Sequence, residues 1–303
     1  MLGDNDSMRV HRFVSNDFTV RAAAVNATNA VIEMQTLQKS LPLATIAVGR
    51  AMVGALLMAS HQKENQEVGI LLSGNGPLVS VYAQASFEGL VRGYCPNPEY
   101  FAGETKDQTN LKKAMGNGFL TVTKQQPFQR QPYTGTVQMV SGEVGEDLAF
   151  YLHQSHQIRS VVNLGVYLDS YGKVQAAGGV LIEVMPGVED EVVETIEANS
   201  QKQTQSVSEL IQKGGDVSHL VSKYLEQIKF TEIPHDYPIK YSCPCTAERV
   251  IRAMSLLSFK DLDEMIEEAK LTEVGCQMCG KIYSITVQEL KDLRLQLHKN
   301  SLN

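Results

Sequence analysis

Two short stretches near the C-terminus hold the residues best equipped for chemistry. "SCPC", residues 242–245, sets Cys243 and Cys245 one residue apart, and thirty residues after Cys245 the stretch "GCQMCG" supplies Cys276 and Cys279. In a chain of 303 residues only one further cysteine occurs, Cys95. Four thiolates suit a tetrahedral zinc ion at a Zn–S distance near ~2.3 Å. Gly280, directly after the second pair, permits the tight turn that aims both sulfurs at one metal. The expected cofactor is therefore one Zn2+ per chain, held by Cys243, Cys245, Cys276 and Cys279. His235 is the nearest substitute ligand, but with four thiols available it reads as a linker residue.

The tighter first pair raises the question of whether such a metal is only structural. A disulfide needs Cα atoms roughly 4.4–6.8 Å apart, whereas an extended dipeptide spans about 6.6–7 Å. A bridge across Pro244 therefore demands a bent, strained conformation, and strained disulfides are the easily reduced kind. Zinc keeps thiols as thiolates, the form that oxidants attack, and a small module that loses its metal loses much of its folding free energy. Spacing alone favours a structural site over a switch and leaves both open.

The elements that must position these thiols belong to a chain able to bury a sizeable core, with 43% hydrophobic residues. Its length suggests two domains, though one large domain is also compatible. A net charge of −7 argues against a general nucleic-acid binder. The absence of tryptophan and the scarcity of aromatics argue against a carbohydrate or base-stacking surface. Residues 1–8 read as an unstructured lead or as added residues, with Met8 an alternative start, and they carry no secretory signal. An odd number of cysteines in such a chain points to a reducing, cytoplasmic compartment. The apolar stretch "LPLATIAVGRAMVGALLMAS", residues 41–60, is long enough to span a membrane. Arg50 lies at its middle, where a charge in lipid costs at least ~2.5 kcal/mol, so a core helix with one exposed position is expected.

Residues 9–185 mix strand and helix. "FTVRAAAVNATNAVIEMQTL" starts strand-like, and a helix over residues 41–61 follows. "EVGILLSGNGPLVSVYAQASFEGLVRGYCP" reads as three strands, with Gly74 and Gly76 as the positive-φ residues of a tight hairpin. "GFLTVTKQ" and "YTGTVQMV" read as an antiparallel pair, residues 145–154 as a helix, and "RSVVNLGVYLD" and "KVQAAGGVLIEVM" as long strands turned at residues 170–172. Gly178 and Gly179 mark a bulge or a close backbone approach. The fold class is α+β: an N-terminal domain of antiparallel sheets with packed helices, a helical linker, and a small C-terminal zinc-binding module.

The linker, residues 186–232, is rich in Glu, Gln, Ser and Lys. Val188, Val192, Val193 and Ile196 form one helical stripe, and Leu220, Tyr224 and Ile228 another. Such narrow stripes imply helices that persist only while docked. In the module, residues 233–303, Thr246 is a plausible N-cap, Ser258 with Asp261 starts a second helix, and Thr286 with Glu289 forms a capping box.

At this point the sequence resembles the redox-regulated bacterial heat-shock holdase family, also called the 33 kDa chaperonin or heat shock protein 33 family. The resemblance rests on "CPCTAERV" and "CQMCGKIY", on their separation, and more loosely on "GVLIEVMPG", residues 41–60 and "ILLSGNGPL". It implies a folded, inactive monomer when reduced and zinc-bound. Oxidants then form disulfides within each motif, Cys243–Cys245 and Cys276–Cys279; zinc leaves, and module and linker unfold. The active form, usually a homodimer, binds unfolded or partly folded client proteins without ATP. The residues that contact clients are not identified. His156 departs from the family, which usually has an acidic residue there.

Two other readings are weighed against this non-enzymatic one. A thiol-disulfide oxidoreductase would use Cys276 and Cys279, but no thioredoxin-like βαβ context surrounds them. A zinc-ribbon nucleic-acid module is disfavoured by the acidic "KDLDEMIEEAKLTE". No nucleic acid and no membrane is expected as a partner. Cys95 reads as a small buried residue, otherwise an adventitious oxidation site, and His153 with His156 as a helix end rather than a ligand set. No Ser/His/Asp set, paired carboxylates or phosphate loop stands out.

Overall fold

A computed structural model describes residues 9–101, 103 and 110–301. The lead assigned to residues 1–8 lies outside them. The chain divides into two compact units between Ser242 and Cys243. Residues 233–242, expected with the C-terminal module, belong to the first unit.

The first unit is built around α2 (Pro42–Ser60), whose every residue from Leu43 to Ser60 except Arg50 is buried. A helix apolar on all sides needs cover on all sides. One sheet has the order β10-β1-β2-β9-β8 and the other β11-β5-β4-β3-β6-β7, and α2 packs on strands of both. The first sheet comprises β1 (Val10–Ser15), β2 (Val20–Asn26), β8 (Arg159–Leu168), β9 (Val174–Val184) and β10 (Phe230–Ile233), all antiparallel. The second comprises β3 (Glu67–Gly74), β4 (Ser80–Ser86), β5 (Leu90–Tyr94), β6 (Gly118–Gln125), β7 (Tyr133–Gln138) and β11 (Lys240–Tyr241). Here only β11 runs parallel to its neighbour, β5. Helices α1 (Thr28–Gln38), α3 (Leu111–Met115) and α4 (Val144–His156) complete the unit's main core.

Two expectations need correction. Arg50 is half-buried rather than exposed, and its guanidinium pairs with the carboxylate of Glu143, the residue at the N-cap of α4. Gly74 and Gly76 do not supply positive φ; at this turn Val79 does, at φ 63°. The two glycines are required instead because α3 passes close by. A Cβ on Gly74 would stand 2.0 Å from the Met115 carbonyl oxygen, and one on Gly76 2.4 Å from that of Ala114. The segment that starts strand-like at "FTVR" does so as β2 and then turns helical at Thr28, a helix not expected from its residues.

Along β9, successive side chains face opposite sides of the sheet. Ala177 and Leu181 join the core around α2, while Val180, Ile182 and Val184 join a second cluster on the other face. That second face is covered by α5 (Asp190–Gln201), α6 (Val207–Gln212) and α7 (Ser218–Tyr224). The predicted stripes dock there through Val193 and Ile196 from α5 and Leu220 and Tyr224 from α7, joined by Val207, Leu210 and Ile211 of α6. Polar ties add to this: Asn199 donates to the carbonyls of Tyr224 and Glu226, both at 3.1 Å, and Asn163 donates to the Tyr224 hydroxyl at 3.0 Å. From β10 the chain crosses to the second sheet at β11. On the way it buries His235, whose Nε2 donates to the Phe87 carbonyl at 2.9 Å.

At the α2 end of β9 lies a fully enclosed carboxylate, Glu183, 2% exposed. Burial alone would raise its pKa, but His61 at 2.6 Å and Arg21 at 2.5 Å outweigh that and hold it down to about 2. Removing one partner of such a group leaves the others uncompensated. Glu183→Gln is expected to cost about 3 kcal/mol at pH 7, read from denaturant unfolding. Because the folded pKa is depressed, the wild-type advantage is complete above pH 4.5 and disappears as pH falls toward 2. A variant as stable as wild type at pH 7 would refute this role.

The second unit begins at Cys243. It contains α8 (Ala247–Met254), α9 (Phe259–Glu267), a hairpin of β12 (Thr272–Gly275) and β13 (Ile282–Ile285), and α10 (Val287–Ser301). The predicted caps form. Thr246 Oγ1 accepts from the Arg249 backbone N–H, and Ser258/Asp261 and Thr286/Glu289 close reciprocal boxes. Met254, Leu262, Tyr283, Ile285, Leu290 and Leu293 make a small core, and Arg294 ties α10 to α9 through a two-pronged bond to Asp263 at 2.9 and 3.2 Å.

Candidate metal centre

Each half of the thiol cluster is placed by a short local device. Cys243 and Cys245 lie in the extended segment before α8, where Arg249 donates to the Pro244 carbonyl at 2.9 Å and Thr246 caps the helix. Cys276 and Cys279 form the turn between β12 and β13. Gly280 takes φ 69°, its N–H bonds to the Cys276 carbonyl at 2.8 Å, and the Cys276 N–H bonds to the Lys281 carbonyl at 2.9 Å. The pair thus sits on a hairpin rather than at the head of a βαβ helix.

These devices bring all four predicted thiols together. The four Sγ atoms lie within 4.8 Å of one another, and all four cysteines are free. The closest approaches run between the motifs: Cys243 to Cys276 at 3.6 Å and Cys245 to Cys279 at 3.4 Å. Sulfurs ~2.3 Å from a common tetrahedral centre would stand ~3.8 Å apart. The cluster therefore has the dimensions of a four-thiolate metal site and can hold a metal ion.

Protonation differs among the thiols. Burial pushes Cys243 up. For Cys279, burial and then bonds with neighbouring thiols raise the pKa to about 12. Burial also opposes ionisation of Cys245, but the Tyr283 hydroxyl and the adjacent thiols outweigh it and bring the value down to about 7. Tyr283 donates to Cys245 Sγ at 3.1 Å and lies 2.9 Å from the Cys245 carbonyl oxygen. Its role was missed in the sequence, although Tyr283 stands four residues after Cys279 on the strand leaving the turn, where its side chain returns over the sulfurs.

The other candidates lie elsewhere. His235 belongs to the first unit and faces Phe87 and Tyr237, with ring centroids at 4.8 and 5.4 Å. Cys95 is buried in the core around α2 and its thiol contacts the Leu78 carbonyl at 3.5 Å. His153 and His156 end α4, and His156 Nε2 stands 3.2 Å from both Lys124 Nζ and the Tyr151 hydroxyl.

Together these features define an α+β protein carrying a four-thiol module at its C-terminal end. The family described as Hsp33 protein matches residues 9–286. The 33 kDa chaperonin of Thermodesulfovibrio yellowstonii is 35% identical over 94% of this chain and 97% of its own length. That of Bacillus subtilis is 35% identical over 92% and 96%. The crystal structure of the Thermotoga maritima 33 kDa chaperonin, a heat shock protein 33 homolog, superposes with a TM-score of 0.86 at 30% identity, covering 96% of this chain and 99% of that one. The chain belongs to the Hsp33 family, a family of chaperones.

Proposed function

We propose that this protein is an ATP-independent, non-enzymatic holdase in the cytoplasm, switched on by oxidation and off by reduction. The observation that carries the proposal is the pairing of two features in one chain. Four free thiols stand within 4.8 Å of one another, and three short helices of a polar linker cover an apolar sheet face.

In the reduced state Cys243, Cys245, Cys276 and Cys279 hold one zinc ion, whose charge keeps all four as thiolates. An oxidant such as peroxide or hypochlorous acid joins Cys243 to Cys245 and Cys276 to Cys279. With peroxide, two thiols lose two electrons and two protons as one oxidant molecule becomes two waters. All four donors are consumed, and a unit with so small a core then has little to keep it folded. The partition into core domain (9–185), linker (186–232) and switch (233–303, of which 243–303 form the compact second unit) belongs to this proposal. Loss of α5–α7 would bare Val180, Ile182, Val184, Ala22 and Ala24, a patch for apolar segments of unfolding clients. Activated chains would pair as homodimers.

Two experiments follow. Peroxide at raised temperature is expected to release one zinc per chain, remove four thiols, and switch on suppression of a denatured client's aggregation. Zinc release without suppression rejects the proposal. The second uses the seat of α6. A Cβ on Gly165 would stand 2.7 Å from Ser208 Oγ, 2.8 Å from its Cβ and 2.9 Å from its N, so its three nearest neighbours all belong to α6. Gly165→Ala is therefore expected to unseat the linker and give partial suppression while the protein is still reduced and zinc-loaded. Hydrogen exchange over residues 190–224 should rise with it; unchanged exchange and no suppression would show that linker docking is not the gate.

A further inference from the structure

Resting on the oxidative reading above, one residue of the second unit bears on how fast the switch is thrown. The four sulfurs do not share one environment. Cys243 and Cys276 approach each other at 3.6 Å and Cys245 and Cys279 at 3.4 Å, and Cys245 Sγ also receives a hydroxyl donor, that of Tyr283 at 3.1 Å. The ring that carries that hydroxyl is fixed by its strand and by the core. Tyr283 lies on β13 in register with Val274, its ring is buried in the unit's core, and Lys281 Nζ stands 5.0 Å above the ring centroid. The hydroxyl has one hydrogen and two acceptors, the Cys245 carbonyl at 2.9 Å and the sulfur. A thiolate is the stronger acceptor, so negative charge on Cys245 draws that hydrogen to sulfur.

We propose that Tyr283 is a positioning residue that brakes oxidation of Cys245, its O–H group occupying sulfur electron density that an oxidant must attack. In the reaction with peroxide, a lone pair of the Cys245 thiolate takes one oxygen, the O–O bond breaks, and hydroxide departs. The Cys243 thiolate then attacks the sulfenic sulfur and expels a second hydroxide, completing the disulfide; two protons from solvent convert both hydroxides to water. The first step needs the lone pair that the hydroxyl engages. Neighbouring donors tune ligand sulfurs in this way, and a charge-assisted bond is strong enough for the effect to be kinetic.

The test uses full-length, reduced, zinc-loaded protein with substoichiometric peroxide, quenched at short times, each thiol being counted by mass spectrometry. Tyr283→Phe keeps the ring and removes the hydroxyl. Initial oxidation at Cys245 is expected to rise on the order of tenfold, with the Cys276–Cys279 pair changing by less than about twofold. Tyr283→His, which restores a ring N–H donor, should return Cys245 toward the slow rate. Unchanged Cys245 oxidation in the phenylalanine variant overturns the brake. So does an equal acceleration of all four thiols, or loss of zinc before oxidant is added, since either would mark a purely structural residue. These rates are read without clients, so the brake can fail while oxidised wild type still suppresses aggregation, and the chaperone reading can fail while the brake holds.

Discussion

On the function proposed, everything in the second unit depends on keeping four sulfurs in near contact. Thiolates at 3.4–3.6 Å repel one another unless a cation stands among them. The unit that holds them has a core of six buried apolar side chains, too few to hold about 60 residues firmly against chain entropy. Capping boxes and the Arg294–Asp263 bond contribute locally, but they are exposed and individually worth little. On the function proposed, the sulfurs and the fold of the unit stand or fall together, which would make thiol chemistry an efficient way to alter structure.

The first unit is organised on the opposite principle. Its core around α2 is covered by two sheets, and the enclosed carboxylate of Glu183 is paired twice, by His61 and Arg21. Of the chain's five cysteines only Cys95 lies in that core, as a small buried residue with its pKa raised by burial. The function proposed needs this division, since a stable platform beside a conditional module would let one part change while the other keeps its shape.

How much of this is legible in the sequence depends on how local each cause is. The N-cap at Thr246 and the boxes at Ser258 and Thr286 act over three residues, and each was readable from residue type alone. So were the paired strands β6–β7 and β8–β9, whose turns lie between them. Arg50 was misread because its partner Glu143 stands 93 residues away. Helix α1 was missed because polar Gln35 is buried while Ile32 and Leu37 are exposed, which blurs the stripe. Strands β10 and β11 are short, and each is fixed by an edge formed far away, β1 and β5. The four thiols were legible as a cluster because types and spacing suffice for a metal knuckle. Tyr283 was not, since only the return of β13 beside β12 brings its hydroxyl to Cys245.

The dual burial of β9 explains why a polar linker can act as a cover at all. A strand apolar on both faces needs two partners, and with α2 on one side the other face stays exposed unless α5–α7 occupy it. Those helices are short, and only narrow stripes of them are apolar, so each docks weakly by itself. Gly165 and Gly178 deepen the seat, letting Ser208 and Ile211 of α6 approach where any Cβ would intrude. The cover thus gains its hold from shape, through close contact at two glycines, as well as from buried area. Such a contact is lost abruptly once the helix shifts, because dispersion falls steeply with distance. A cover of this kind is either seated or gone, the behaviour that a switch requires.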